Sequence, residues 1–174
     1  MDNQVLKAIA DRRSIRSYKE EKVSREQIDI LLKAAVEAPS ARNAQPWHFT
    51  VVQNEALLKE IYDEVKANMK EDIANIFHGA KTVIFLSCDP DSRWGRLDFG
   101  IAVQNIALAA HAIGLGTVIL GRPEPAFTGQ RGAEFDKKLK FPEGHKFAVS
   151  IAVGHPAGTK DAHPVEADRI SFVD

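Results

Sequence analysis

Apolar positions along the 174 residues fall into helical and strand periods that outline the fold. Val5, Leu6 and Ile9 have helical spacing, with Asp2 placed to cap the helix. Ser24 and Gln27 have the spacing of a capping box, and Ile28, Leu31, Leu32, Ala35 and Val36 behind them line one helical face. Pro39 closes that helix, because the residue before proline is pushed out of the α region. Residues 47–52 are rich in β-formers and predict a short strand. Asn54 then caps a third helix carrying Leu57, Leu58, Ile61 and Val65, and 69–78 is expected to add a short helix.

Residues 82–88 are apolar and β-branched, which predicts a fully buried strand, followed by a turn at Asp89-Pro90-Asp91. The longest helix is expected over 94–113, and its stretch 99–113 is apolar nearly all round. Gly114 is placed to end it in a left-handed conformation. Residues 115–120 and 147–153 predict two more core strands, with a polar helix near 134–139 between them. The tail is polar until Ile170-Ser171-Phe172, an alternation expected of an edge strand. Helices and strands alternate without a strict βαβ repeat, so helices cover both faces of one sheet. A helix apolar on all sides in so small a chain also implies that a second subunit covers part of it.

Composition narrows the function classes. A length of 174 residues suits one domain with a real core. A net charge of -1 gives no bulk signal for nucleic acid or an anionic membrane. One cysteine, Cys88, excludes an internal disulfide, and its apolar run predicts a buried thiol. No basic and apolar leader opens the chain, and 99–113 is short and polar-interrupted for a membrane span, so a cytoplasmic location is expected.

Two segments carry candidate chemistry. Arg12, Arg13 and Arg16 put three guanidinium groups within five residues, and Ser14 adds a hydroxyl. Guanidinium forks suit a phosphate dianion, but solvated cations at a helix C-terminus have the same pattern. Residues 39–47 form a proline-bracketed loop with Ser40, Asn43 and Gln45, whose mixed donors and acceptors suit the edge of a heterocycle. On chemistry alone that loop also reads as an ordinary helix-to-strand connection, with Trp47 as its anchor in the core.

The remaining signals mostly exclude. Gly114 and Gly116 follow a helix and open a strand, the reverse of a dinucleotide fingerprint. Gly121, by contrast, ends a buried strand, where glycine permits close approach of a ligand to backbone. The six histidines lack metal-ligand spacing, with His111 expected as a satisfied core residue, and no serine has a nucleophile-elbow context. Asp98 is expected to have a dipole or hydrogen-bonding role at the start of the long helix. Trp94, Phe127 and Phe141 suit a pocket wall and a core equally.

Together these segments resemble the nitroreductase family of flavoproteins. The run Arg12-Arg13-Ser14-Ile15-Arg16 is similar to its R-R-S-x-R segment, and 38–49 is similar to its A-P-S-x-x-N-x-Q-P-W-x-F motif. Asp98, Gln104-Asn105, 108–110 and 114–117 match the helix and turn that follow, and Gly154-His155-Pro156 resembles the late G-Y-P signature with histidine for tyrosine. The resemblance is colinear over nearly the whole chain.

It implies an α+β fold, a three-layer α/β/α arrangement around a mixed, mostly antiparallel sheet, in one domain over 1–174. It also implies a homodimer with tightly bound flavin mononucleotide (FMN) at the subunit interface and a tail, 155–174, that crosses to extend the partner's sheet. Arg12, Arg13, Ser14 and Arg16 would hold the phosphate and ribityl chain. Pro39, Ser40, Ala41, Asn43 and Gln45 would come from the other subunit, with Ile119, Leu120 and Gly121 facing the flavin. The implied activity passes hydride from NAD(P)H, a transient donor, through flavin N5 to a nitroaromatic, quinone or similar small acceptor by ping-pong chemistry. Alternatives on the same scaffold are a dehalogenase, a flavin-processing enzyme or a non-catalytic flavin-binding module. The family's tail cation for the phosphate has no obvious counterpart here, and Lys160, His163 and Arg169 are the candidates.

Overall fold

The computed structural model describes residues 3–70, 72–164 and 166–173. Helix α1 spans Gln4–Asp11 and α2 Arg25–Val36, followed by a 3-10 turn at Ala41–Asn43 and strand β1 at Trp47–Val52. Then come α3 (Glu55–Met69), β2 (Thr82–Cys88), α4 (Gly95–Ala112) and β3 (Gly116–Leu120). Two short helices, α5 (Glu124–Thr128) and α6 (Gly132–Lys138), precede β4 (Lys146–Gly154).

The strands form one sheet in the order β1-β2-β4-β3. All three ladders are antiparallel, so the expected mixed character shrinks to one isolated parallel bridge, Ser14 to Thr117. Successive side chains on a strand point to opposite faces, and β2 shows the consequence. Val83 and Phe85 enter a core with α3, α5 and α6, where Leu58, Ile61, Val65, Phe127 and Phe135 pack. Ile84 and Leu86 enter the opposite core with α2 and α4, where Leu31, Ala35, Val103, Ile106 and Ala110 pack. Two cores on one sheet make the three-layer α/β/α arrangement.

Local signals explain most boundaries. The Ser24–Gln27 capping box forms reciprocally, and Asn54 accepts from the Leu57 N–H at the start of α3. Gly114 takes φ 80 after α4. At α1 the cap is Asn3, whose side chain accepts from the Val5 and Leu6 N–H groups, while Asp2 lies outside the described residues. The helix expected over 69–78 does not form. Lys70 turns left-handed at φ 54 and ends α3, after which 72–78 is irregular backbone.

Other expectations are corrected by packing. Within the single chain the described tail residues pair with no strand of their own sheet; they form a 3-10 turn at Ala167–Arg169 and leave Phe172 88% exposed, and an extension of a partner's sheet is a property of the assembly. Trp47 is half-buried beside Phe49 rather than sunk in the core. His111 is half-buried at a cleft wall rather than a core residue. Cys88 is a buried free thiol, and burial raises its pKa above the ordinary thiol range. Among the described residues no helix is long and apolar enough to cross a membrane.

Phe85 is fully buried and lies within 6.3 Å, centroid to centroid, of the rings of Phe77, Phe127 and Phe147. Truncation to alanine leaves an aromatic-sized cavity between β2 and α5. Phe85→Ala is expected to lose about 3–5 kcal/mol of stability. Urea unfolding checks this; a loss below about 1 kcal/mol, the average cost of a point mutation, would contradict the packing.

Candidate functional site

The arginine segment leaves α1 and lies along the free edge of β3. The Ile15 N–H donates to Thr117 O at 2.8 Å, and Ser14 makes its parallel bridge to the same residue. Gly116 makes this approach possible, since a Cβ there would stand 3.0 Å from Ile15 Cβ. Further on, the Lys19 N–H donates to His155 O and the Ala157 N–H to Ser17 O, both at 2.9 Å. Tyr18 stitches the segment internally by donating from its hydroxyl to Ile15 O at 2.7 Å. Burial pushes the Tyr18 phenol well above its ordinary pKa, partly offset by the nearby Arg16 charge.

This docking sets the guanidinium groups over two adjoining clefts. The first, about 330 Å³, is walled by Arg12, Arg13, His111, Gly116, Thr117 and Thr159 among others. The second, about 550 Å³, is walled by Arg16, Asn75, His78, Ile119, Leu120 and Gly121 among others. Ser14, at its bridge, lies between them in sequence. None of Arg12, Arg13 and Arg16 has a carboxylate within 4.0 Å among the described residues. Arg13 partly serves its own helix, donating from Nη1 to Ala10 O at 2.6 Å and Arg12 O at 2.9 Å. Arg16 donates weakly to Ser14 O at 3.4 Å. Asp72 also lines the second cleft, but its carboxylate is taken by Lys66.

The far wall of the second cleft is the end of β3. Ile119 is 42% exposed in a strand otherwise buried, and a Cβ added at Gly121 would meet nothing within 4 Å. His78 faces Arg16 across the cleft; burial first and the arginine charge second hold its pKa below the ordinary imidazole value.

The proline-bracketed loop stands elsewhere. Pro39, Ser40, Ala41, Asn43 and Gln45 line neither cleft, so one chain brings the Arg12–Arg16 segment to Ile119, Leu120 and Gly121 but not to the loop. Three non-glycine residues there have positive φ: Arg42 at 56°, Asn43 at 55° and Gln45 at 47°. The shape is held by the Gln45 N–H donating to Ser40 Oγ and by Gln45 Nε2 donating to Asn43 Oδ1, both at 3.0 Å. The Ala41 N–H donates to Asp98 Oδ1 at 3.1 Å.

Several cleft residues escape the sequence reading. Residues 72–76 and His78 line the second cleft because the expected helix gives way to irregular backbone. The readable signal there is Asn75, which accepts the Phe77 N–H on its side chain ahead of left-handed His78 and Gly79. Of the tail candidates, Arg169 is paired with Glu166 and His163 Nδ1 lies 2.9 Å from Pro164 O. Lys160 directly follows Thr159, a wall residue of the Arg12 cleft.

Comparison with known proteins gives this arrangement a family. Residues 9–155 match the Nitroreductase family. A crystal structure of a nitroreductase with bound FMN from Desulfitobacterium hafniense superposes with a TM-score of 0.93 at 36% identity, covering 100% of both chains. An FMN reductase [NAD(P)H] from Bacillus subtilis is 31% identical over 182 residues, spanning 93% of this chain and 70% of that protein. An iodotyrosine deiodinase from Thermotoga neapolitana is 27% identical over 172 residues, spanning 88% of this chain and 89% of that one. The agreement extends over nearly the whole chain in sequence and in fold, and the chain belongs to the nitroreductase family.

Proposed function

We propose that this chain is the subunit of an FMN-dependent oxidoreductase that passes hydride from NADH or NADPH to a small acceptor such as a nitroaromatic or a quinone. The observation that carries this reading is the row of guanidinium groups without carboxylate partners beside a strand end open to a ligand. The residues present fit FMN. Arg12 and Arg13 offer forked donors for a phosphate dianion, and Ser14 a hydroxyl for the polyol chain. Arg16 lies at the cleft walled by Ile119, Leu120 and Gly121, so its charge favours extra electron density on a ring bound there. The bound flavin supplies the two-electron chemistry itself, taking hydride from a reduced nicotinamide and passing it to the acceptor. Protein residues bind, orient and tune it, and donor and acceptor use the same cleft in turn.

The loop 39–45 completes the site from a second copy of the chain. Its separation from the arginine clefts supports this, as do the exposed apolar residues Val5, Leu6 and Ile9 on α1 and Ile170, Phe172 and Val173 in the tail. A second reading, reductive dehalogenation on the same site, is favoured by the likeness to the iodotyrosine deiodinase. Product analysis with a halogenated phenol and a nitroaromatic, each under anaerobic conditions, separates the two.

Two substitutions test the site. Arg12→Ala is expected to remove one charged hydrogen bond, about 1.5–3 kcal/mol, and so weaken FMN affinity roughly ten- to a hundredfold. Titration by flavin fluorescence checks this, and unchanged affinity would overturn the phosphate assignment. Gly121→Val places branched carbons where a Cβ meets no protein atom, so stability is expected to hold while FMN binding falls. Calorimetry beside the same titration checks it. Equal loss of both properties would show that Gly121 serves the fold rather than the ligand.

A further inference from the structure

Asp98 is the one carboxylate of the first turn of α4, and it is 2% exposed. Its Oδ1 accepts the Ala41 N–H across a separation of 57 residues, and its Oδ2 is buried with no hydrogen-bond partner. No cation lies within salt-bridge distance of it among the described residues. A buried carboxylate with one hydrogen bond and no counter-charge is a poor device for stability, since desolvation outweighs what one bond returns. The start of a long helix offsets part of that cost through its dipole.

What Asp98 does hold is the entry to a strained turn. Ala41 begins the 3-10 turn, and the backbone then passes through left-handed Arg42, Asn43 and Gln45. Such conformations are unfavourable for residues with a Cβ and persist only where the surroundings over-determine them. The contacts that hold the turn are few: the Asn43 N–H on Ser40 O, the Ala44 N–H on Ala41 O, the Gln45 N–H on Ser40 Oγ, the Gln45–Asn43 side-chain bond, and Asp98. Of these, only Asp98 ties the turn to a rigid element. Arg42, Asn43, Ala44 and Gln45 are themselves exposed, so packing does not fix them.

We propose that Asp98 is a positioning residue for cofactor binding, locking the 40–45 turn in the left-handed form that presents Ser40, Asn43 and Gln45 to the flavin of the partner subunit. This rests on the proposed function, but the lock itself exists in the single chain and has its own readout. Asparagine keeps an acceptor at the Oδ1 position, and alanine does not.

The test compares Asp98→Asn, Asp98→Ala, Asn43→Ala and the Asp98→Ala/Asn43→Ala double variant. The flavin-independent readout is native-state tryptic cleavage after Arg42, followed by mass spectrometry. Asp98→Ala is expected to speed that cleavage about tenfold or more by freeing the turn, with Asp98→Asn close to the parent protein. In FMN titrations Asp98→Ala is expected to weaken affinity about tenfold, and to add little once Asn43 is already alanine, because both act through one turn. Unchanged cleavage in Asp98→Ala overturns the lock. Faster cleavage with unchanged FMN affinity, or fully additive losses in the double variant, overturns its role in the site. A parent protein that binds no FMN but shows the cleavage pattern would remove the flavin reading while leaving the lock in place.

Discussion

The candidate site depends on the edge docking of one irregular segment. Ser14 and Ile15 dock on β3, where the Ile15 N–H reaches Thr117 O and Gly116 lets Ile15 come within van der Waals range, and residues 17–19 continue against 155–157. An edge strand exposes unpaired backbone groups, and this segment covers part of that edge without becoming a strand. Its geometry spaces Arg12 and Arg13 over one cleft and Arg16 over the next. A register slip of one residue would turn the guanidinium groups away from the clefts. Sheet, docking and charge placement are therefore one constraint read at three scales.

The second half of the proposed site obeys a different rule. The 39–47 loop carries its hydrogen-bonding side chains on left-handed backbone, tied to α4 through Asp98. Strain held by a few polar contacts is typical of places where a ligand, not the fold, sets the required shape. The same helix is apolar nearly all round, and its two sides differ in what covers them. One side meets the sheet and α2, with Val103, Ile106 and Ala110 buried there. Ile101 and Leu108 stay half-buried outside that core, seven residues apart and so on one helical face.

How much of this was legible in the sequence varies with the physics involved. Buried strands and capped helices were readable because each is set by residues close in sequence, as at Ser24–Gln27 and 82–88. The irregular 72–78 segment was not, because Lys70 ends α3 in a left-handed conformation that lysine does not advertise. The helix at Glu124–Thr128 was missed since five residues carry no periodicity. In the site, the arginine run was visible as charge, but which guanidinium faces which cleft depends on the non-local Ile15–Thr117 contact. Asp98 was readable as a helix-start carboxylate, whereas its partner 57 residues away was not.

The central claim is that a complete flavin site needs two chains, and subunit mixing tests it most directly. Arg12→Ala damages one half and Asn43→Ala the other, so each homodimer carries two damaged sites. A heterodimer formed by co-refolding the two variants collects both substitutions in one site and leaves the other intact. A site shared between chains predicts that, at random assembly, about a quarter of all sites regain the FMN affinity of the parent protein. Mixtures that form heterodimers yet recover no such sites would contradict it, and would place both halves of the site within a single chain.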